Sequence, residues 1–93
     1  MGAEVVAANA DPGYIAEMQV RLLAFAHTRE QLGFDERLVE CLAADTPRTL
    51  LARLAPGFSP AGLRVAVDCE YRDWDAPLGS AEEVAIIPPV SGG

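Results

Sequence analysis

The alternation of apolar and polar residues near the start of the chain predicts a first strand over residues 18–26. Its two faces are Val20, Leu22 and Ala24 against Arg21, Leu23 and Phe25. Because Arg21 belongs on the solvent side, Leu23 and Phe25 are expected close to solvent. A second apolar layer would cover them, or a partner would dock on them. The pattern leaves both alternatives open.

The next apolar pattern is shorter and less regular. Residues 27–33 predict a helical turn that their closing glycine stops. Residues 34–42 alternate as a strand would, although Leu38, Val39 and Leu42 also fit one face of a helix. A strand is favoured, because it would pair with the first strand across a short connection.

A helix is predicted to start after Asp45 or Thr46, either of which can cap its free N–H groups, with Pro47 in the first turn. A helix this short has to gain its stability by packing on a sheet. Three leucines at helical spacing form the packing face: Leu50, Leu51 and Leu54.

Two further strands complete the pattern. The clearest alternation predicts a strand over residues 63–70, with Cys69 as a small core residue rather than a nucleophile. Tyr71 then falls in an irregular acidic segment, and the last strand covers Glu83–Ile87. In that strand the inward pair is Val84 and Ile86 and the outward pair is Ala85 and Ile87.

This order of elements predicts an α+β domain in which one main helix crosses one face of a mixed sheet. The β-grasp arrangement is the compact fold with that order at this size. Residues 18–87 are expected to form the domain and residues 88–93 an extended tail. Residues 1–17 form an N-terminal extension that is either flexible or loosely docked.

The tail is the unusual chemical feature of the chain. A double proline ends the last strand, because proline has no N–H for a sheet ladder and fixes its own φ. A terminal glycine pair has no β-carbons, so it can thread a narrow channel and deliver its α-carboxylate into the active site of another protein. A frayed terminus or a cloning scar is the alternative. Delivery is favoured, because a scar would not normally follow a strand through two prolines. The tail residues are Pro88, Pro89, Val90, Ser91, Gly92 and Gly93.

Composition and charge exclude several functions. The 93 residues carry a formal net charge of −7, which argues against binding a phosphate backbone. This charge suits a partner with a basic surface, and it is equally common in proteins that it merely keeps in solution. There is no membrane-length apolar run and no secretory signal, so the cytoplasm is expected. Cys41 and Cys69 are isolated and are expected to be reduced thiols, and His27 has no local catalytic partner. No metal site, bound cofactor or catalytic site of its own is predicted.

These residues together resemble the MoaD/ThiS sulfur carriers of the ubiquitin-like β-grasp group, and within it the branch of small subunits of molybdopterin synthase. The resemblance covers residues 18–93. It rests on the motifs Val20-Arg-Leu-Leu-Ala-Phe-Ala26, Arg29-Glu30 with Gly33, Thr46 opening a leucine helix, Val65-Ala-Val67 and, most specifically, Glu83-Val-Ala-Ile-Ile-Pro-Pro-Val-Ser-Gly-Gly93.

The resemblance implies that an E1-like enzyme uses ATP to adenylate Gly93 and that a sulfur donor then leaves a thiocarboxylate there. The tail would enter the large synthase subunit, within a heterotetramer, and give sulfur to a cyclic pyranopterin precursor. The family's apolar docking surface corresponds to Phe25, Tyr71 and Ile87, and the tail residues 88–91 would contact the same partner.

The chain departs from the family pattern at three points. The family usually begins near Met18, so the residues before it are extra. The family's turn glycine is Ala81 here, so Gly79 is expected to take the positive φ. Where the family has an asparagine after the Ala-Val pair, this chain has Asp68, and this difference alters a hydrogen bond.

Three other functions stay open at this point. The chain could carry sulfur for thiazole or another product, or be a ubiquitin-like modifier joined to lysines through Gly93. It could also be a plain interaction domain whose tail is incidental.

Overall fold

The structure is a computed structural model that describes residues 5–6 and 16–88. Within these residues a mixed sheet of six strands is accompanied by two helices. The elements in chain order are β1 (Val5–Val6), β2 (Met18–Ala24), α1 (Ala26–Leu32), β3 (Glu36–Cys41), α2 (Pro47–Leu54), β4 (Arg64–Val67), β5 (Glu70–Arg72) and β6 (Glu83–Ile87).

The sheet has the strand order β1-β3-β2-β6-β4-β5. The first long strand, β2, and the last strand, β6, lie side by side at its centre and run parallel, with Leu22 opposite Val84 and Ala24 opposite Ile86. β3 is antiparallel to β2, and β4 is antiparallel to both β6 and β5. The last strand is therefore hydrogen-bonded on both edges.

The core lies between the inner face of the sheet and helix α2. Thr46 caps this helix as predicted, since its hydroxyl accepts a hydrogen bond from the N–H of Thr49 at 3.1 Å. Leu50 and Leu51 are buried against the sheet. The inward residues predicted for the two central strands are confirmed, because all are buried: Val20, Leu22, Ala24, Val84 and Ile86. The alternation of residues 34–42 also proves to be that of a strand, with Val39 and Cys41 in the core.

The predicted continuous strand over residues 63–70 is wrong. β4 ends at Val67, and the chain reverses through Asp68 and Cys69, whose φ angles of 51° and 69° are both left-handed. Positive φ at both central residues is the I′ hairpin turn, whose twist matches that of the flanking strands. Cys69 is consequently exposed at the turn and is not a core residue.

The same turn corrects the prediction for Tyr71. This residue belongs to strand β5 and not to an irregular segment, and it lies opposite Ala66 of β4. Alternation carried straight on from β4 would place Tyr71 inside. Because the two turn residues interrupt the alternation, Tyr71 lies on the outer face beside Ala66 and is 57% exposed.

The predicted helical turn is a two-turn helix, α1, that ends at Gly33 with a φ of 87°. Gly79 takes the positive φ of 62° expected of it before the last strand. In the N-terminal extension, Val5 and Val6 pair in parallel with Leu38 and Val39 at the edge of β3. The division into extension, domain and tail stays a prediction.

Buried Asp45 joins the loop before α2 to the turn before β6. Its carboxylate accepts hydrogen bonds from the N–H of Leu42 at 2.8 Å and from Arg53 at 2.5 Å, and its carbonyl accepts one from the N–H of Leu78 at 2.7 Å. Burial alone would raise the pKa of Asp45. The hydrogen bonds from Arg53, Leu42 and Thr49, together with the charge of Arg53, outweigh burial and hold that pKa below its usual value.

Candidate functional site: the root of the tail and the outer apolar surface

The candidate site begins where β6 ends. Ile87, the last residue of this strand, lies opposite Arg64 of β4, and the preceding residue, Ile86, lies opposite Ala24 of β2. Ile87 and Pro88 are half-buried. The first residue of the tail, Pro88, therefore follows a strand that is paired on both sides, at the end of the sheet where Phe25 follows β2. The predicted residues Pro89, Val90, Ser91, Gly92 and Gly93 lie outside the described residues.

Phe25 is held in place by Thr28. The buried Thr28 hydroxyl accepts a hydrogen bond from the N–H of Phe25 at 3.1 Å and donates one to its carbonyl at 2.5 Å. Ala26 then enters α1 with a φ of 53°, which is unusual for a residue with a side chain. This sharp change from strand to helix leaves the Phe25 side chain 46% exposed.

One row of small and apolar residues crosses the outer face of the sheet. The register places its four members side by side on β2, β6, β4 and β5: Leu23, Ala85, Ala66 and Tyr71. Phe25 and Ile87 follow Leu23 and Ala85 by two residues and lie on the side of the row that is nearer the tail. We call these six residues the outer apolar surface.

Among the described residues, the large hydrophobic side chains that stay exposed are Phe25 and Tyr71. The sequence left two alternatives for Leu23 and Phe25, a covering apolar layer or a docking partner. The described part of the chain contains no such covering layer. The structure brings Phe25, Tyr71 and Ile87 onto one surface, which is what docking requires. Their contact with a partner stays a prediction.

Asp68 secures the start of β6. Its Oδ1 accepts hydrogen bonds from the N–H groups of Glu82 and Glu83 at 2.9 and 3.0 Å. Sequence reasoning missed this role of Asp68 and the role of Thr28. Their signals were weak: an acidic residue ahead of a turn, and a threonine three residues after a strand.

The two thiols differ in environment. Burial raises the pKa of the Cys41 thiol to about 11, and the charge of Asp45 adds to the effect, so this thiol stays protonated and inert. The exposed Cys69 has its Sγ 3.9 Å from Oε1 of Glu83. The described residues contain no group of three or more acidic, histidine or cysteine side chains placed to hold a metal ion. No helix in the described part of the chain is long and apolar enough to cross a membrane.

The strand order, the central parallel pair and the helix across the inner face define a ubiquitin-like β-grasp domain with its C-terminal strand at the centre of the sheet. The sequence matches the model of the ThiS family over residues 22–93. The chain belongs to this family.

Similar proteins agree with this assignment. A curated relative from Dictyostelium discoideum, named molybdopterin synthase sulfur carrier subunit, is 39% identical over 84 residues, which cover 81% of this chain and 96% of the relative. A solved structure from Pyrococcus furiosus, assigned as molybdopterin converting factor subunit 1, has a TM-score of 0.63 at 25% identity and covers 80% of this chain and 100% of its own. SAMP1 from Haloferax volcanii shares the fold, with a TM-score of 0.65 at 21% identity over 82% of this chain and 100% of its own.

Proposed function

We propose that this chain is a sulfur carrier that acts as the small subunit of a molybdopterin synthase, with the carboxylate of Gly93 as its reactive group. The observation that carries the proposal is the 39% identity to a relative of that name over nearly the whole relative. It is supported by the family match, which extends through Gly93.

The proposed chemistry is acyl activation by partners. The Gly93 carboxylate attacks the α-phosphorus of ATP on an E1-like enzyme, and pyrophosphate leaves. Sulfide supplied by a donor then attacks the acyl carbon, the bond to AMP breaks, and a thiocarboxylate results; where the donor is a persulfide, a reductant also has to break the remaining S–S bond. Glycine suits this step because no side chain hinders attack at its carbonyl and the tail can adopt the geometry that a partner imposes.

The architecture of the domain is compatible with delivery of this group. The tail starts from a strand secured on both edges, beside the outer apolar surface on which a large synthase subunit would dock. In the complete assembly, a heterotetramer with the large subunit, the thiocarboxylate would give its sulfur to a pyranopterin precursor. We infer that the chain itself binds no cofactor and that it acts in the cytoplasm.

The test is mass spectrometry of the chain expressed with its own activating enzyme, with a variant lacking Gly93 as the control. We expect the full chain, but not the control, to exchange one terminal oxygen for sulfur. An unaltered terminus in the full chain would contradict the proposal. Reconstitution with the large subunit and the precursor should then give the dithiolene product.

The same mass spectrometry would show whether the chain is instead a protein modifier. All seven cationic residues of the chain are arginines, so the chain contains no lysine. A modifier would therefore appear as amides on the lysines of other proteins and could not build lysine-linked chains of itself. Such adducts, without the sulfur exchange, would replace the carrier proposal by the modifier.

A further inference from the structure

Arg64, the first residue of β4, lies on the outer face of the sheet, and no prediction assigned it a role. It lies opposite Ile87 in the register of β4 and β6, at the root of the tail. Its guanidinium carbon is 3.8 Å from the centre of the Tyr71 ring, which is a cation–π stack. Arg64 thus contacts one residue of the predicted docking surface and neighbours another.

Carboxylates neutralise the charges of four other arginines, whereas none in the described part of the chain neutralises the charge of Arg64. Within the described residues, four arginines lie within 4.0 Å of a carboxylate oxygen: Arg21 with Glu36, Arg48 with Asp75, Arg53 with Asp45 and Arg72 with Glu70. Among the described residues, no carboxylate oxygen lies within 4.0 Å of the Arg64 guanidinium. Arg64 is exposed, so a partner could reach it. Stacking on Tyr71 uses the face of the guanidinium, so its N–H donors, which lie in the guanidinium plane, are still able to bind a carboxylate in a bidentate manner.

We propose that Arg64, beside the outer apolar surface, is a specificity-determining residue that pairs with a carboxylate of the protein that docks on that surface. The inference depends on the proposed function, in which that protein is the large synthase subunit. Docking would remove water from the guanidinium, and a buried cation is tolerated when a carboxylate replaces the water.

The sign of the charge gives this contact its selectivity. The chain has a net charge of −7, so basic residues are expected on a partner around the apolar contact. Arg64 reverses the sign at one point beside the tail. A partner with an acidic residue at the matching point would fit in one register only, because any other register sets like charges against each other.

The test compares Arg64→Gln with Arg48→Gln in binding to the purified large subunit by calorimetry and surface plasmon resonance at several salt concentrations. Arg48 is the matched control, since it is exposed and loses the same charge but already pairs with Asp75 at 2.7 Å. We expect Arg64→Gln to weaken binding roughly tenfold or more, mainly by faster dissociation, and the control to stay within about twofold of the wild type.

Two further observations make the outcome decisive. Thermal unfolding should show that both variants are folded; if Arg64→Gln is not, Arg64→Lys takes its place, and it should bind more weakly than the wild type because it cannot make the same bidentate pair. Equal affinity of the Arg64 variant and the control would overturn the inference while the proposed function stood. Failure of the wild-type chain itself to bind the large subunit would instead refute the docking on which both depend.

Discussion

Replacing Phe25 by alanine tests the outer apolar surface directly. A phenylalanine exposes roughly 200 Å² when it is free, and Phe25 is 46% exposed in the folded domain. A partner that covered it completely would thus bury about 90 Å² of it. At ~25 cal/mol per Å² this burial is worth about 2 kcal/mol, so Phe25→Ala should weaken binding of the large subunit roughly 30-fold.

The assay is titration calorimetry at a temperature well below the unfolding midpoint of each variant. Phe58→Ala is the control, because Phe58 lies after α2 and packs against the core. Both substitutions remove a partly buried ring and should lower the midpoint, but only Phe25→Ala should change the dissociation constant. A folded Phe25→Ala variant whose dissociation constant changed by less than roughly threefold would place Phe25 outside the interface.

Three further predictions concern the turn, the buried carboxylate and the tail. Cys69→Gly should stabilise the domain by about 1 kcal/mol, or ~4–8 °C in midpoint, because glycine adopts positive φ without strain; a lower midpoint would refute the I′ turn. The folded-state pKa of Asp45 is depressed, so its contribution is complete above the usual value of 3.8 and is lost as pH falls through the folded pKa. Acid titration of unfolding should accordingly show a shallower loss of stability below pH 3.8 in Asp45→Asn than in the wild type, and parallel curves would contradict this. Deleting Gly93 should abolish sulfur transfer without changing the thermal midpoint, and a clearly lower midpoint would show that the tail supports the fold.

The central part of the fold could be predicted from the sequence because two periodicities are strong there. In β2 and β6 the apolar residues alternate, and the inward positions of Leu22 and Val84 follow from that alternation. Helix α2 was equally predictable, because Thr46 and Pro47 mark its start.

The hairpin between β4 and β5 could not be predicted in the same way. Asp68-Cys69 lacks the glycine that usually marks an I′ turn, so alternation appeared to continue through it. One unrecognised turn produced two errors, the burial of Cys69 and the irregular segment at Tyr71. The family resemblance placed Tyr71 on the docking surface although alternation alone did not.

The position of Arg64 illustrates a different limit. Its place in β4 follows from the sequence, but its neighbours across the sheet depend on register and on the hairpin. A cation–π stack on Tyr71 joins residues seven positions apart through a turn that local patterns did not indicate.

The central position of β6 has a consequence for the synthesis of the protein. β2 and β4 cannot complete their pairing until the last strand emerges from the ribosome and inserts between them. A nascent or prematurely terminated chain would therefore stay unfolded and be exposed to proteases. The folded state would therefore indicate that translation has proceeded at least through β6, the strand from which the tail continues.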